Sequence, residues 1–265
     1  MLNLTEIFGL IFIVGHLEGT THSVLPDTSQ SAFTVDSVWK DMYKKDKYAR
    51  DRVMKSARLL LPFVKETDTI LDVGCFTWEA RKYFPSSVNY IGIDQVKYHS
   101  KTKLVDLNNG FEPILCQAAL CLETLEHLLD PMDTLESIYE GLSQDGYLVV
   151  SLPNEATLFH RIRALMGKLD AQCFSGEGKH LHLPSLKQSK SFLHSKFEIL
   201  STKFYISPSA VGSQSAWIGR LLTLIPDQVH QWLADSCPSL FARGFIFLLK
   251  KKQNVSQSEE TPTQG

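Results

Sequence analysis

The sequence predicts an α/β fold built on a doubly wound, mostly parallel sheet. Short apolar runs that suit buried strands alternate with segments long enough for a crossover connection. In one run, residues 70–73, Asp72 stands among apolar neighbours and Gly74 follows where a central strand would turn. A carboxylate in a buried strand is costly unless something satisfies it, so Asp72 beside a glycine indicates a ligand-facing turn.

The other elements follow from local patterns. Residues 38–64 have helical apolar spacing among many charges and suit one or two helices, with Pro62 ending or kinking them. Asp130 and Pro131 supply an N-cap and a first-turn proline for a helix that Gly141 ends. Further helices are predicted near residues 156–168 and 184–195. Strands are predicted at residues 70–73, 90–93, 103–105, 118–122, 147–152, 197–205 and 244–249.

Composition narrows the function classes. The 27 Lys and Arg residues against 29 Asp and Glu residues give a net charge of -2, which argues against a nucleic-acid partner. The five cysteines are scattered and contain no Cys-x-x-Cys pair, so neither a disulfide framework nor a zinc site is indicated. A reducing, cytoplasmic location is expected.

The predicted domain organisation has three parts. Residues 1–37 hold an apolar run at 7–14, too short to span a bilayer, followed by a polar linker. That run is read as a leader or anchor, a buried or interfacial helix, or an overextended start. Residues 38–252 form the main domain, with an insert at 206–240, and residues 253–265 form a disordered tail.

Acidic residues recur where the predicted strands end. Asp94 follows the second strand about 20 residues after Asp72, where a carboxylate can accept hydrogen bonds from both ribose hydroxyls. Asp106 ends the third strand, and Glu123, Glu126 and His127 follow the fourth. All of these ends gather at one edge of a parallel sheet, where open α/β folds bind ligands.

These segments resemble the class I S-adenosylmethionine-dependent methyltransferases, in their small-molecule branch. LDVGC, IGID, VDLNNGFE and LCLETLEHLLDP are similar to the family's successive motifs, and the likeness covers roughly residues 39–252 except 206–240. Ubiquinone-pathway O-methyltransferases and methyltransferase-like proteins linked to methionine biosynthesis are the most similar subgroups. The resemblance implies a seven-stranded sheet with an antiparallel last strand and S-adenosyl-L-methionine as cofactor.

The resemblance also implies a set of site residues. The methionine end of the cofactor would lie at the first turn, the ribose at Asp94, the adenine beside the third strand and the sulfonium at the fourth. Glu126 and His127 would serve the methyl acceptor, although capping or packing roles explain them equally well. The implied cofactor residues are Asp72, Gly74, Cys75, Thr77, Asp94, Asp106, Leu107, Leu122 and Glu123.

Phe76 and Trp78 depart from the family pattern. Family members usually carry glycines at both positions, where a left-handed backbone and a close ligand approach favour glycine. A non-catalytic binding or scaffold protein that keeps the fold is therefore the alternative function. A dinucleotide dehydrogenase is excluded, because the next glycine after Gly74 is Gly92 and no G-x-G-x-x-G follows.

Two further motifs leave alternatives open. His180 and His182 have a spacing that places two imidazoles on one strand face, but no carboxylate or cysteine pair accompanies them, and no metal site is predicted. The apolar stretch at residues 217–225 suits a lid over the acceptor, a membrane-skimming helix, a dimer contact or a helix covering the sheet. A lipophilic acceptor and a membrane contact are hypotheses that depend on this stretch and on residues 7–14.

Overall fold

A computed structural model describes residues 46–165, 167, 180–206 and 224–253. The helices are α1 (Lys47–Leu60), α2 (Pro131–Gly141), α3 (Leu158–Leu165), α4 (Leu186–His194), α5 (Asp227–Ser236) and α6 (Pro238–Phe241). The strands are β1 (Thr69–Val73), β2 (Asn89–Asp94), β3 (Lys103–Leu104), β4 (Cys116–Leu122), β5 (Leu142–Pro153), β6 (Phe197–Tyr205) and β7 (Gly244–Lys251).

Within the described residues these strands form one seven-stranded sheet in the order β3-β2-β1-β4-β5-β7-β6. Strands β1 to β5 run parallel to one another, whereas β7 lies between β5 and β6 and runs antiparallel to both. Strand order reverses beside β1, so the carboxyl ends of β1 and β4 border the crevice where open α/β sheets bind ligands. The predicted fold class is confirmed, including the antiparallel last strand.

Both faces of the sheet are buried. Leu71 and Val73 point to one face, where they pack in a core with α2 and α4. Ile70 points to the other face and packs with residues of α1 such as Ala57 and Leu60. A strand covered on both sides reads as a continuous apolar run, which is why residues 70–73 were recognisable. Asp72 shares the α1-facing side of β1 with Ile70, because alternate strand residues point the same way.

The predicted helix signals at Asp130, Pro131 and Pro62 are confirmed, and the structure adds a capping box at α4. The Asp130 carboxylate accepts a hydrogen bond from the backbone N–H of Met132, and Pro131 occupies the first turn of α2. Ser185 and Gln188 form a capping box at the start of α4. A short 3₁₀ helix, Leu61–Phe63, contains Pro62 and directly follows the end of α1.

The connection between β1 and β2, residues 74–88, contains no α-helix. It holds only a 3₁₀ helix, Glu79–Tyr83, between a left-handed turn and the loop into β2. Bulky aromatic side chains pack on the sheet here: Trp78 and Phe84 both contact the ring of Tyr90. The aromatic side chains cover a face that a longer helix would otherwise cover.

Several predicted segments lie outside the described residues, namely 1–37, the first part of the predicted helical region (38–45), residues 217–223 and the tail beyond residue 253. The described part of the 206–240 insert forms α5 and α6. Among the residues that the structure describes, no helix has the length and apolar character needed to cross a membrane.

Candidate active site

The turn after β1 has a left-handed backbone at three alternate positions. Gly74, Phe76 and Trp78 have φ angles of 72°, 43° and 61°. These are the positions where family members usually carry glycine. The N–H groups of Gly74 and Cys75 both donate to the carbonyl oxygen of Ile93, at 2.9 and 3.1 Å. The start of the turn is therefore hydrogen-bonded to the end of β2. The chain therefore keeps a glycine-type turn with two aromatic residues in it, at a cost of about 1 to 2 kcal/mol per residue.

Gly74 is required by space as well as by its φ angle. A Cβ at this position would overlap the Thr124 side chain, which lies at the end of β4. The Thr124 hydroxyl donates to the carbonyl oxygens of Val73 and Leu122, at 3.3 and 3.1 Å. Gly74 thus lets the ends of β1 and β4 approach each other at the crevice.

The aromatic side chains of the turn have partners on β2 and the loop that follows it. The Trp78 indole lies against the backbone of Gly92 and stacks on His99, with ring centroids 4.7 Å apart. Its Nε1–H donates to the Thr102 hydroxyl at 3.0 Å. Phe76 makes an edge contact with Tyr98, at 4.5 Å between centroids. Packing and hydrogen bonds of this kind offset the backbone strain.

Asp94 lies where the sequence predicted the ribose acid. One carboxylate oxygen accepts a hydrogen bond from the Phe76 N–H at 2.9 Å, and the other accepts from the Val96 N–H at 3.1 Å. The side chain is half-buried, and each oxygen keeps a lone pair for a further donor. Thr77 lies in the same turn and is also half-buried.

Asp72 lies deeper in the molecule than a cofactor contact requires. It is 3% exposed, and one of its oxygens accepts a hydrogen bond from the Tyr90 hydroxyl at 2.5 Å. Burial raises the pKa of Asp72 to about 7, although the Tyr90 hydrogen bond opposes the rise. Tyr90 is therefore the partner that a buried acid in β1 needs.

The predicted adenine residues have different environments. Asp106 is exposed, and its carboxylate accepts hydrogen bonds from the backbone N–H of Asn108 and the side-chain amide of Asn109. Leu107 is 2% exposed, and its carbonyl oxygen accepts from the Thr134 hydroxyl at 2.7 Å. Asp106 is thus available to a ligand at the end of β3, whereas the Leu107 side chain belongs to the core.

Glu123 follows the half-buried Leu122 at the end of β4 and has a left-handed backbone, with φ 49°. Its side chain accepts hydrogen bonds from the hydroxyls of Ser151 and Tyr205, both at 3.1 Å. A guanidinium nitrogen of Arg52 in α1 lies 3.5 Å from the other carboxylate oxygen. Glu123, which was predicted to border the sulfonium, is therefore hydrogen-bonded to β5 and β6 and paired with Arg52 of α1.

Glu126 and His127 lie in a short 3₁₀ helix after β4. The Glu126 carboxylate is fully buried, and neither oxygen has a hydrogen-bond partner among the described residues. Burial raises its pKa well above the ordinary value, and the charge of Glu123 adds to the rise. His127 is partly exposed, with its Nε2 3.8 Å from a Glu126 oxygen and its ring 4.9 Å from the His180 ring.

A mostly apolar cavity of about 470 Å³ lies beside Glu126. The short 3₁₀ helix after β4 and the end of β5 form one wall, the segment at residues 181–184 forms another, and α4 forms a third. Its lining residues include Leu125, Leu152, Leu181, Leu183 and Phe192. A cavity of this size suits a small organic molecule.

Comparison with known sequences decides the family. A family described as "Methyltransferase domain" matches residues 46–195, more than half of the chain. The chain belongs to the methyltransferase-domain family. Its sheet order and antiparallel seventh strand are those of the S-adenosylmethionine-dependent class I methyltransferases. No curated protein is significantly similar to this methyltransferase in sequence.

Solved structures share the fold at low identity. A possible histamine N-methyltransferase from Thermotoga maritima is 12% identical, with a TM-score of 0.53 over 82% of this chain and 96% of that one. A methyltransferase from Archaeoglobus fulgidus is 16% identical, with a TM-score of 0.51 over 80% and 99%. NodS from Bradyrhizobium japonicum, solved with S-adenosyl-L-homocysteine, is 12% identical, with a TM-score of 0.50 over 80% and 91%.

S-adenosyl-L-methionine is the cofactor of this methyltransferase family, and the residues present fit it. The three left-handed positions of the turn keep the backbone shape that brings a ligand close to the chain. Asp94 stands beside that turn with lone pairs for ribose hydroxyls.

Sequence reasoning missed the side chains that hold the site residues in place. Asn154 and Glu155 follow β5 at the same sheet edge, so the rule that found Asp94 and Glu123 would have found them. The Asn154 side-chain amide donates to carbonyl oxygens of α6 and to that of Ala242, at 2.8 Å, just before β7. The other missed residues have no sequence signal, because tertiary packing brings them in: Arg52, Tyr90, Thr124, Tyr205 and Arg243.

Proposed function

We propose that this methyltransferase transfers the methyl group of S-adenosyl-L-methionine to a small-molecule acceptor. The observation that carries the proposal is the left-handed backbone kept at Gly74, Phe76 and Trp78 beside Asp94. Backbone strain at two aromatic residues persists only where the surroundings impose it, and such strain clusters at binding and catalytic sites.

In this proposal the first turn and Asp94 bind the cofactor. Asp94 accepts hydrogen bonds from the ribose, and Gly74, Cys75 and Thr77 border the methionine end. Asp72 lies in β1 just before the turn and is hydrogen-bonded to Tyr90. Asp106 and Leu107 border the adenine, and Leu122 and Glu123 the sulfonium. When bound, the cofactor supplies a methyl group already activated on a positively charged sulfur, so the chain needs mainly to align the acceptor.

The acceptor would occupy the apolar cavity beside Glu126. Its volume and lining suit a small organic molecule better than a polymer, and the net charge of -2 does not favour a nucleic acid. Burial raises the pKa of Glu126 well above its ordinary value, so a charge on this carboxyl group requires a nearby partner. Glu126 lines the cavity and His127 lies partly exposed beside it, so these two side chains would serve the acceptor.

The test follows a labelled methyl group. Purified protein is incubated with methyl-labelled S-adenosyl-L-methionine and a cell extract separated into small-molecule, protein and nucleic-acid fractions. We expect label only in the small-molecule fraction, and none with Asp94→Ala. The control Asp145→Ala, which changes an exposed acid away from the site, should behave as wild type.

The remaining outcomes separate the alternatives. Label in protein or nucleic acid would overturn the small-molecule acceptor while leaving methyl transfer intact. If no fraction is labelled and the wild type fails to bind the cofactor, the protein is a binding or scaffold relative in which Phe76 and Trp78 have replaced the functional glycines.

A further inference from the structure

Three side chains with metal-ligating atoms converge next to the acceptor cavity. Glu126 and His127 follow β4, and His180 begins the segment that leads into α4. One ligand atom from each lies within 4.8 Å of the other two. Two imidazoles and one carboxylate form a ligand set that binds divalent transition metals and leaves coordination positions open.

The Glu126 carboxylate is the second observation that points to a ligand. It is fully buried, and neither oxygen has a hydrogen-bond partner among the described residues. Buried carboxylates in folded proteins are almost always paired or bound to a metal, because leaving one unsatisfied is costly. A cation bound by Glu126 would satisfy it.

His180 is already held as a metal-ligating histidine is usually held. Its Nδ1 lies 2.7 Å from a carboxylate oxygen of Glu155. Glu155 itself lies 3.4 Å from a ring nitrogen of His160 and 3.7 Å from a guanidinium nitrogen of Arg243. When Nδ1–H donates to a carboxylate, the lone pair is on Nε2 and the ring is fixed in orientation, which is the usual outer-shell arrangement around a metal.

The charges around the three side chains favour a cation. The negative charges of Glu123 and Glu155 disfavour a charge on the Glu126 carboxyl group, whereas the positive charge of Arg52 favours it. Arg52 pairs with Glu123, and Arg243 pairs with Glu155. Three carboxylates and two guanidinium groups therefore lie in this region, which leaves a net negative charge when all of them are ionised.

We propose that Glu126, His127 and His180 bind a divalent transition-metal cation such as Zn²⁺, Co²⁺ or Mn²⁺. His182 is not part of this set, because its Nε2 lies 2.9 Å from the carbonyl oxygen of Leu128. The sequence predicted no metal site because the relevant partner of His180 is His127, far from it along the chain, and not His182.

The site also narrows the acceptor class. Glu126 belongs both to the metal-binding set and to the cavity wall, so the cation lies at the edge of the acceptor cavity. The favoured acceptor is therefore an apolar molecule that carries an oxygen able to ligate the metal, such as a hydroxyl or carboxylate. This narrowing rests on the proposed function, whereas metal binding itself does not.

The test uses the full chain, freed of metal with a chelator, without cofactor or acceptor. Titration with CoCl₂ is followed by visible absorption and titration with ZnCl₂ by calorimetry. We expect one ion per chain and d–d absorption bands of nitrogen and oxygen ligation. Glu126→Gln and His180→Asn should each weaken binding by roughly tenfold or more, whereas His194→Asn, which changes an exposed histidine in α4, should not.

Three outcomes would overturn the proposal: no binding, equal affinity in Glu126→Gln and wild type, or a thiolate-to-cobalt band indicating binding at a cysteine. The melting temperature of each metal-free variant shows whether it is folded, and His127→Asn provides a further ligand change if one variant is not. Cofactor binding is measured separately. Cofactor binding without metal binding rejects the metal site alone, and metal binding without cofactor binding rejects the proposed function alone.

Discussion

The carboxylate of Asp94 accepts a hydrogen bond from the backbone N–H of Phe76 at 2.9 Å. This contact joins the end of β2 to the middle of the left-handed turn that follows β1. The residue proposed to bind the ribose therefore also supports the strained turn at which the methionine end of the cofactor would bind.

Replacing Trp78 by glycine should destabilise the protein. The indole packs on Gly92, stacks on His99 and donates to Thr102. Its loss should cost about 2 to 4 kcal/mol in the free energy of unfolding, after relief of the left-handed strain. Urea unfolding measures this change. Trp232→Ala is the control, because that side chain is 65% exposed, and it should change the free energy by less than about 0.5 kcal/mol.

Phe76→Gly should be nearly neutral by the same measurement. Relief of about 1 to 2 kcal/mol of strain offsets the lost contact with Tyr98 and the greater freedom of the unfolded chain. A loss as large as that expected for Trp78→Gly would contradict this account of the turn.

Gly74→Ala should be more damaging than Gly167→Ala. Both glycines have positive φ, at 72° and 70°, so both substitutions add backbone strain. A Cβ at Gly74 would overlap Thr124, whereas a Cβ at Gly167 would have no atom within 4 Å. The difference in unfolding free energy should be about 1 to 3 kcal/mol. Adding Thr124→Ala should recover part of it, and equal costs at the two glycines would show that the close approach of β1 and β4 is unimportant.

The sequence predicted the elements that local chemistry determines. The buried strand at residues 70–73, the Asp130 cap and the strand-end acids were recognisable because apolar runs, N-caps and strand ends have short-range signals. Glu155 and His180 meet through tertiary packing, and Tyr90 reaches Asp72 from the neighbouring strand. Such pairs depend on sheet register and loop paths, which no local pattern encodes.

Asp72 should give the protein a pH-dependent stability. Burial raises its folded pKa to about 7, above the ordinary value of 3.8 that we assign to the unfolded chain. Its stabilising contribution is therefore complete below about pH 4 and is lost as the pH rises through about 7. Between pH 4 and pH 8, the free energy of unfolding of the wild type should fall by on the order of 2 to 4 kcal/mol more than that of Asp72→Asn.

Urea unfolding of both proteins at several pH values in this range checks the prediction. The comparison removes contributions from other titrating groups, which the two proteins share. Parallel stability curves for wild type and Asp72→Asn would show that Asp72 titrates normally and is not desolvated.

The most direct test of the central claim is calorimetric titration of the full chain with S-adenosyl-L-methionine and S-adenosyl-L-homocysteine. We predict micromolar binding of both. Asp94→Ala should weaken it by roughly a hundredfold, because two hydrogen bonds to a charged carboxylate are lost. Asp145→Ala should bind as wild type. If the wild type does not bind and the double variant Phe76→Gly, Trp78→Gly does, the aromatic residues have closed the site and the proposed methyl transfer is wrong.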